Sequence, residues 1–271
     1  MKNLRYNLIS LAVLAIILSL AVTSQAATVT IDNQNIGSSV WFRAHDNTAT
    51  QQGVTGPGTP PLGTGSWQFS TGSGTGSGQG GKSYLYFTGV NFLTTTVKPS
   101  DFTTLSYSTY VVSRQTGTSV APYWNMQYDL NGNGKWDGTG VNGDAYLIFE
   151  PANNGHKSTD VGIWQTWDVA NGNWWSNQYL GGGNFKLSTL HNKIFSLDLL
   201  AGQSSGGDWA NAVGDFDAVT IGIANGAIFA NTTYNFENNP VPLPGSLLLL
   251  GSGLVGLVIW RKRRAIMRTG A

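Results

Sequence analysis

The sequence predicts an all-β fold, an antiparallel β-sandwich of jelly-roll type, over residues 27–238 of 271. Three observations carry this. Short runs of alternating apolar and polar residues recur along the chain, and Gly and Asn turn signals separate them. The chain also holds 36 glycines and only 11% charged residues, a composition that suits strands and turns better than helices.

The clearest alternations lie mid-chain. Leu105, Tyr107, Thr109 and Val111 share one face of a segment whose other face begins Thr104, Ser106, Ser108. Trp124, Met126, Tyr128 and Leu130 alternate with Tyr123, Asn125, Gln127 and Asp129. Further strands are predicted at 28–31, 40–43, 66–70, 83–90, 144–150, 163–169, 217–223 and 227–236. So many short strands at regular spacing indicate a sandwich or jelly roll. Only 187–200 has a helical look, and its pattern is weak. The Gly/Ser-rich stretch 63–81 reads as a surface loop. A phosphate-cradling glycine loop would be followed by a helix, whereas Lys82-Ser83-Tyr84-Leu85-Tyr86-Phe87 is a strand pattern.

The two ends read as targeting segments. Lys2 and Arg5 precede an apolar run at 8–22, and Ser24-Gln25-Ala26 supplies the small residues a signal peptidase reads, so residues 1–26 form a signal peptide cut after Ala26. At the other end, Pro242-Leu243-Pro244 precedes the 16 apolar residues 245–260 and then Arg261-Lys262-Arg263-Arg264. As a helix that run spans about 24 Å, short against a hydrocarbon core of about 30 Å. A snorkelling Arg261 lengthens it to a thin transmembrane span. The basic cluster stays on the cytoplasmic side, with 265–271 as a cytoplasmic tail and everything upstream outside.

Two resemblances follow from these residues. Val241-Pro242-Leu243-Pro244-Gly245, then Leu247-Leu248-Leu249-Leu250-Gly251-Ser252-Gly253-Leu254 and a terminal Arg/Lys cluster, resembles the PEP-CTERM sorting signal. The resemblance takes in residues 239–264 and departs from the usual Pro-Glu-Pro by placing Leu243 at the middle position. It implies processing by an exosortase-type enzyme, a transient stay in the inner membrane and a surface or extracellular destination in Gram-negative bacteria that make extracellular polysaccharide. In the body, Tyr128 to Gly134, Leu147-Ile148-Phe149-Glu150-Pro151, Trp164 to Asp168, Trp174-Trp175 and Gly214 to Gly222 resemble bacterial surface modules of uncharacterised function. Those are similar in turn to carbohydrate-binding jelly rolls with a closing Val-Asp-Asn-Val-Thr-Ile-type strand.

Composition limits the partners. Seven of the fifteen basic residues lie in the two ends, so residues 27–238 hold eight basic against fourteen acidic residues, a net charge of −6. Such a body argues against nucleic acid, whose phosphates need Lys and Arg clusters, and suits neutral sugars or divalent cations. The absence of cysteine excludes disulfides and zinc-thiolate sites. A body of this length buries a sizeable core without them.

Two clusters carry candidate chemistry. Asp129, Asn131, Asn133 and Asp137 stand at positions one, three, five and nine of an EF-hand-type loop, with Gly134 at six and the Lys135 carbonyl at seven. Calcium takes such hard oxygens at alternate residues. Position twelve is Gly140 instead of a bidentate Glu, with Asp144 the nearest carboxylate to borrow. A calcium loop and a hairpin of plain Asn-Gly turns both fit this segment. The second cluster is aromatic: Trp164, Trp167, Trp174, Trp175 and Tyr179, beside Asn171, Asn173, Asn177 and Gln178. Indole and phenol rings stack on apolar sugar faces while amides bond the hydroxyls. Neighbouring strand residues face opposite ways, so one of Trp174 and Trp175 leaves the core. Trp174, Trp175 and Tyr179 are therefore the candidate glycan contacts.

No catalytic residue is assigned. Asp144, Glu150, Asp168, Asp215 and Asp217 offer carboxyl groups, but nothing in their spacing selects a glycosidase pair. His45, His156 and His191 show no metal-ligand spacing and read as surface residues. The expected function is that of an exported, non-catalytic surface or matrix protein associated with exopolysaccharide. The alternative is a structural or adhesive surface protein without a glycan ligand.

Overall fold

The computed structural model describes residues 27–238 apart from 47, 73–80, 141–142, 177, 179–182, 203–206 and 225–228. Its strands form two sheets packed face to face, the predicted all-β sandwich. One sheet contains β1 (Ala27–Ile31), β3 (Thr50–Thr55), β4 (Gly65–Ser70), β6 (Phe102–Ser113), β9 (Trp164–Asp168), β12 (Val213–Ile223) and β13 (Phe229–Phe236). The other contains β2 (Trp41–Asp46), β5 (Lys82–Phe87), β7 (Tyr123–Tyr128), β8 (Ala145–Phe149), β10 (Trp175–Ser176) and β11 (Ile194–Gly202), in the order β10-β8-β7-β11-β5-β2. Pairing is antiparallel throughout except between β1 and β13.

Aromatic residues from the inner faces close the sandwich. Trp41 of β2 meets Tyr234 of β13 edge-on at 5.4 Å between ring centroids, and Tyr107 of β6 meets Trp124 of β7 at 5.8 Å. Burying large rings in this way supplies most of the hydrophobic stabilisation, with an added preference for tilted and edge-to-face geometry. The alternation read for β6 is the observed one: Leu105, Tyr107, Thr109 and Val111 are all buried.

β12 is the pivot of its sheet. Val213–Phe216 pair with β4, whereas Val219–Ile223 pair with β13, and the opposite edge follows β6 with a register break between Asp217 and Thr220. Ala218 lies within this break at φ 53°, a left-handed conformation in which one residue absorbs the change of neighbour. The loop 56–64 then folds over this part of the sheet's outer face. The Leu62 amide donates to Asp217 Oδ2 at 2.9 Å and the Thr64 amide to Glu237 Oε1 at 2.9 Å. Gly63 is required there: its φ is +58°, and a Cβ would lie 1.6 Å from Glu237 Oε1.

Several expectations need correction. Residues 187–200 do not form a helix. Leu187–Thr189 make one 3-10 turn, and β11 follows from Ile194. The helix-like spacing of Leu187, Leu190, Ile194, Leu197 and Leu200 runs from that turn into the strand, where Leu197 and Leu199 point to the core and Leu200 to the other side. Segment 63–81 is not one loop, since Gly65–Ser70 are β4. β3 carries no apolar alternation because Gln51, not an apolar residue, fills its inward position; its side chain bonds the Trp67 indole and two backbone carbonyls. His156 is buried, not on the surface, wedged between Arg114 and Gln165. The signal peptide, the 245–260 span, the sorting motif and the cytoplasmic tail lie outside the described residues. Among the described residues no helix is long and apolar enough to cross a membrane.

Candidate functional site

The two outer faces differ. Loop 56–64 and the Trp164 indole, bonded to the Pro57 carbonyl at 2.9 Å, cover part of the seven-stranded sheet. The outer face of the six-stranded sheet carries a trough.

Strand register builds that trough. Phe42, Tyr86, Asp198, Asn125, Ile148 and Trp175 are successive cross-strand partners from β2 to β10, one outward residue per strand. Ala44, Tyr84, Leu200 and Tyr123 form the adjoining row. A cavity of about 390 Å³ lies over the centre, lined by Tyr84, Tyr86, Tyr123, Asn125 and Tyr146 among others. It runs on past Tyr86 and Asp198 into about 380 Å³ beside Leu93 and Phe195. Toward the other end, about 560 Å³ opens between the 115–121 loop, Glu150 and Trp209, whose ring lies 5.6 Å from that of Tyr123.

The local sequence explains why these side chains face outward. Lys82-Ser83-Tyr84-Leu85-Tyr86-Phe87 alternates strictly, so Leu85 and Phe87 enter the core and both tyrosines leave it. Their rings stand nearly parallel, 7° apart with centroids at 5.7 Å.

Burial disfavours the charged forms of the phenols, carboxyls and lysine on this face. The Tyr84 hydroxyl donates to Asp46 Oδ2 at 2.8 Å, and burial, with that carboxylate, pushes its phenol well above the ordinary value. Burial, with Asp198 and Asp46 nearby, pushes Tyr86 up to about 12. Both phenols therefore stay as neutral donors and acceptors. Burial pushes the Asp198 carboxyl up to about 7 against the opposing Ser196 hydroxyl, Lys82 and Asn125. It also raises Glu150, partly offset by the Trp175 indole, and lowers Lys82. Flat rings, phenolic hydroxyls, amides and a carboxyl at neutrality can meet both the apolar faces and the hydroxyl groups of sugars.

The residues singled out in the sequence divide. Trp174 does not reach this face: it is fully buried, its ring 5.8 Å from Phe149 and its indole donating to the Val169 carbonyl at 2.9 Å. Core packing claimed it because β10 points its neighbour outward. Trp175 closes the row, half-buried, with its indole donating to Glu150 Oε2 at 3.0 Å. Tyr179 lies outside the described residues. Asn171 donates to Asp168 within its own turn, and Asn173 Oδ1 accepts from the Lys186 ammonium. Tyr84, Tyr86, Tyr123 and Tyr146 were missed, although Tyr at i and i+2 of an alternating strand was the signal available.

The 129–137 loop joins β7 to β8 at one end of the trough. Asn131 Oδ1 accepts the Asn133 amide at 3.0 Å, Asn133 Oδ1 accepts the Lys135 amide at 2.8 Å, and Asp129 Oδ2 accepts the Gly134 amide at 2.9 Å. Asp144 is fully buried and spends both oxygens on the Leu130 and Asp137 amides, so it braces the loop. Among the described residues no three His, Cys, Asp or Glu side chains gather as a metal centre. Asp215 and Asp217 are buried against β4 and the 56–64 loop, away from the trough.

Residues 240–264 match the family model described as the PEP-CTERM protein-sorting motif. The C-terminal segment is a PEP-CTERM sorting motif. A PEP-CTERM motif implies export, a membrane-anchored intermediate, exosortase processing and delivery to the surface. No curated protein matches the chain in sequence. Among solved structures it is similar to the family 11 carbohydrate-binding module of cellulosomal cellulase Lic26A-Cel5E of Clostridium thermocellum, at 13% identity over 74% of this chain and 97% of that one, TM-score 0.35. It is also similar to SGBP-B from a xyloglucan utilization locus in Bacteroides uniformis, at 14% identity, 68% and 47% coverage and TM-score 0.32. The CBM22-1 xylan-binding domain from Paenibacillus barcinonensis Xyn10C follows at 14%, 68% and 87%, TM-score 0.27.

Proposed function

We propose that this is a non-catalytic glycan-binding protein of the cell surface or extracellular matrix, which holds extracellular polysaccharide on the open face of its six-stranded sheet. The row from Phe42 to Trp175 carries the reading: aromatic and polar side chains in one line across every strand of that sheet. At about 4.8 Å per strand the row is roughly 24 Å long, room for several sugar rings of a linear chain. The body's net charge of −6 disfavours nucleic acid and strongly acidic polymers and suits neutral glycans.

Sorting supplies the setting. The 245–260 segment holds the chain in the inner membrane with Arg261–Arg264 on the cytoplasmic side, and an exosortase-type enzyme processes this tail to pass the body outward. Leu243 stands where such motifs usually have Glu.

Retention of the full-length chain on immobilised exopolysaccharide from the producing cells tests the reading. The wild type is expected to bind, and Tyr84→Ala with Tyr86→Ala to weaken binding about tenfold or more, since truncating aromatic anchors typically costs upwards of about 1.4 kcal/mol. No retention of the wild type, with self-association instead, contradicts it and favours a structural surface coat. So does unchanged retention of the double variant.

A further inference from the structure

We propose that the β7–β8 loop is a calcium site that fixes Trp136 against the edge of the trough. The donors are Asp129, Asn131, Asn133, Asp137 and the Lys135 carbonyl.

The loop brings these side chains together across its turn. The amide nitrogens of Asn131, at 3.2 Å, and of Asn133 both donate to Asp137 Oδ2. Two N–H donors thus converge on one oxygen of an exposed carboxylate, where a cation would provide the same compensation. Asp129 supplies the second observation. Its side chain is 97% buried, on 3% exposure, and its Oδ2 is tied to the Gly134 amide at the turn, which aims the carboxylate into the loop. Its other oxygen, Oδ1, is buried without a hydrogen-bond partner. An orphaned carboxylate oxygen is costly, and a bound cation removes that cost.

The donor set selects the ion. All five donors are hard oxygens, with no His or Cys, which suits calcium or magnesium over zinc. Five oxygens at alternate residues of one turn, with room left for water, fit calcium's six to eight ligands better than magnesium's strict octahedron. Asp144, the carboxylate nearest the missing twelfth position, is already committed to backbone amides. Two carboxylates and neutral carbonyls place the affinity at the weak, extracellular end, Kd about 10⁻⁴–10⁻³ M.

The consequence reaches the trough through Trp136. Its ring lies 5.4 Å from Tyr146 and 6.0 Å from Phe195, residues that line two of the cavities. Ordering the loop therefore orders the trough's wall.

The test is thermal unfolding of the full-length chain in 5 mM calcium chloride or in EGTA. The expected result is a melting temperature about 3 °C higher in calcium, as follows from about tenfold saturation of a body this size. Asp129→Asn keeps an acceptor for Gly134 and is expected to abolish the rise. Asp137→Asn, at an exposed position where folding is not at risk, is expected to do the same. Identical melting in calcium and EGTA overturns the proposal. So does a full rise in both variants, or an equal rise with magnesium.

Discussion

Trp174→Ala lowers the stability of the sandwich by about 3–5 kcal/mol, the usual cost of emptying a large aromatic site in a packed core. The indole is fully buried against Phe149, and its N–H donates to the Val169 carbonyl, so truncation leaves both a cavity and an acceptor to be satisfied. Its backbone also exchanges two hydrogen bonds with Phe185, at 3.0 and 2.9 Å. Trp175→Ala, one residue along and half-buried at a sheet edge, is expected to cost about 1 kcal/mol or less. Urea unfolding followed by circular dichroism separates the two. Equal losses in both variants would contradict the facing assigned to β10.

Raising the pH from 5 to 8 is expected to destabilise the body by on the order of 3 kcal/mol. Burial pushes Asp198 and Asp215 up to about 7 and Asp217 to about 6, the last with help from Glu237. In the unfolded chain these carboxyls titrate near 4. The folded state therefore holds more protons between about pH 4 and 7. The stabilisation is fully present below the lower limit and is lost as pH rises through 6 to 7. His156 works the other way, since burial lowers it and its protonation at acid pH opposes folding. It is a single group set against three carboxyls. Asp215 keeps its acceptor role toward Ser66 and Gln68 in Asp215→Asn, which is expected to match the wild type at pH 5 and exceed it at pH 8. A melting temperature that rises from pH 5 to 8, or a variant with the wild-type pH slope, would contradict the assignment.

Local physics made much of the fold legible. β6 and β7 announce themselves because their alternation matches the pleat, with one face filled by core residues. β11 did so less clearly, because a bulge between Ile194 and Ser196 breaks its register and Leu200 places a buried apolar side chain on the outer face beside Leu199. β3 failed for the opposite reason, a buried glutamine satisfied by partners far away in sequence. The site was half legible. Trp175 could be found from the Trp-Trp pair, but which of two adjacent rings leaves the core depends on register with β8. The four tyrosines come from β5, β7 and β8, and only sheet order unites them. In the loop, the alternate oxygens were readable, whereas the bracing role of Asp144 depended on the hairpin's closed geometry.

Glycan is expected to lie on the open face of the six-stranded sheet. Hydroxyl-radical footprinting of the full-length chain with and without soluble exopolysaccharide measures this directly. The expected result is protection of Tyr84, Tyr86, Tyr123, Tyr146 and Trp175, with Trp164 on the opposite sheet unchanged. Protection confined to Trp164 and the 56–64 loop, or none at saturating polysaccharide, would contradict it.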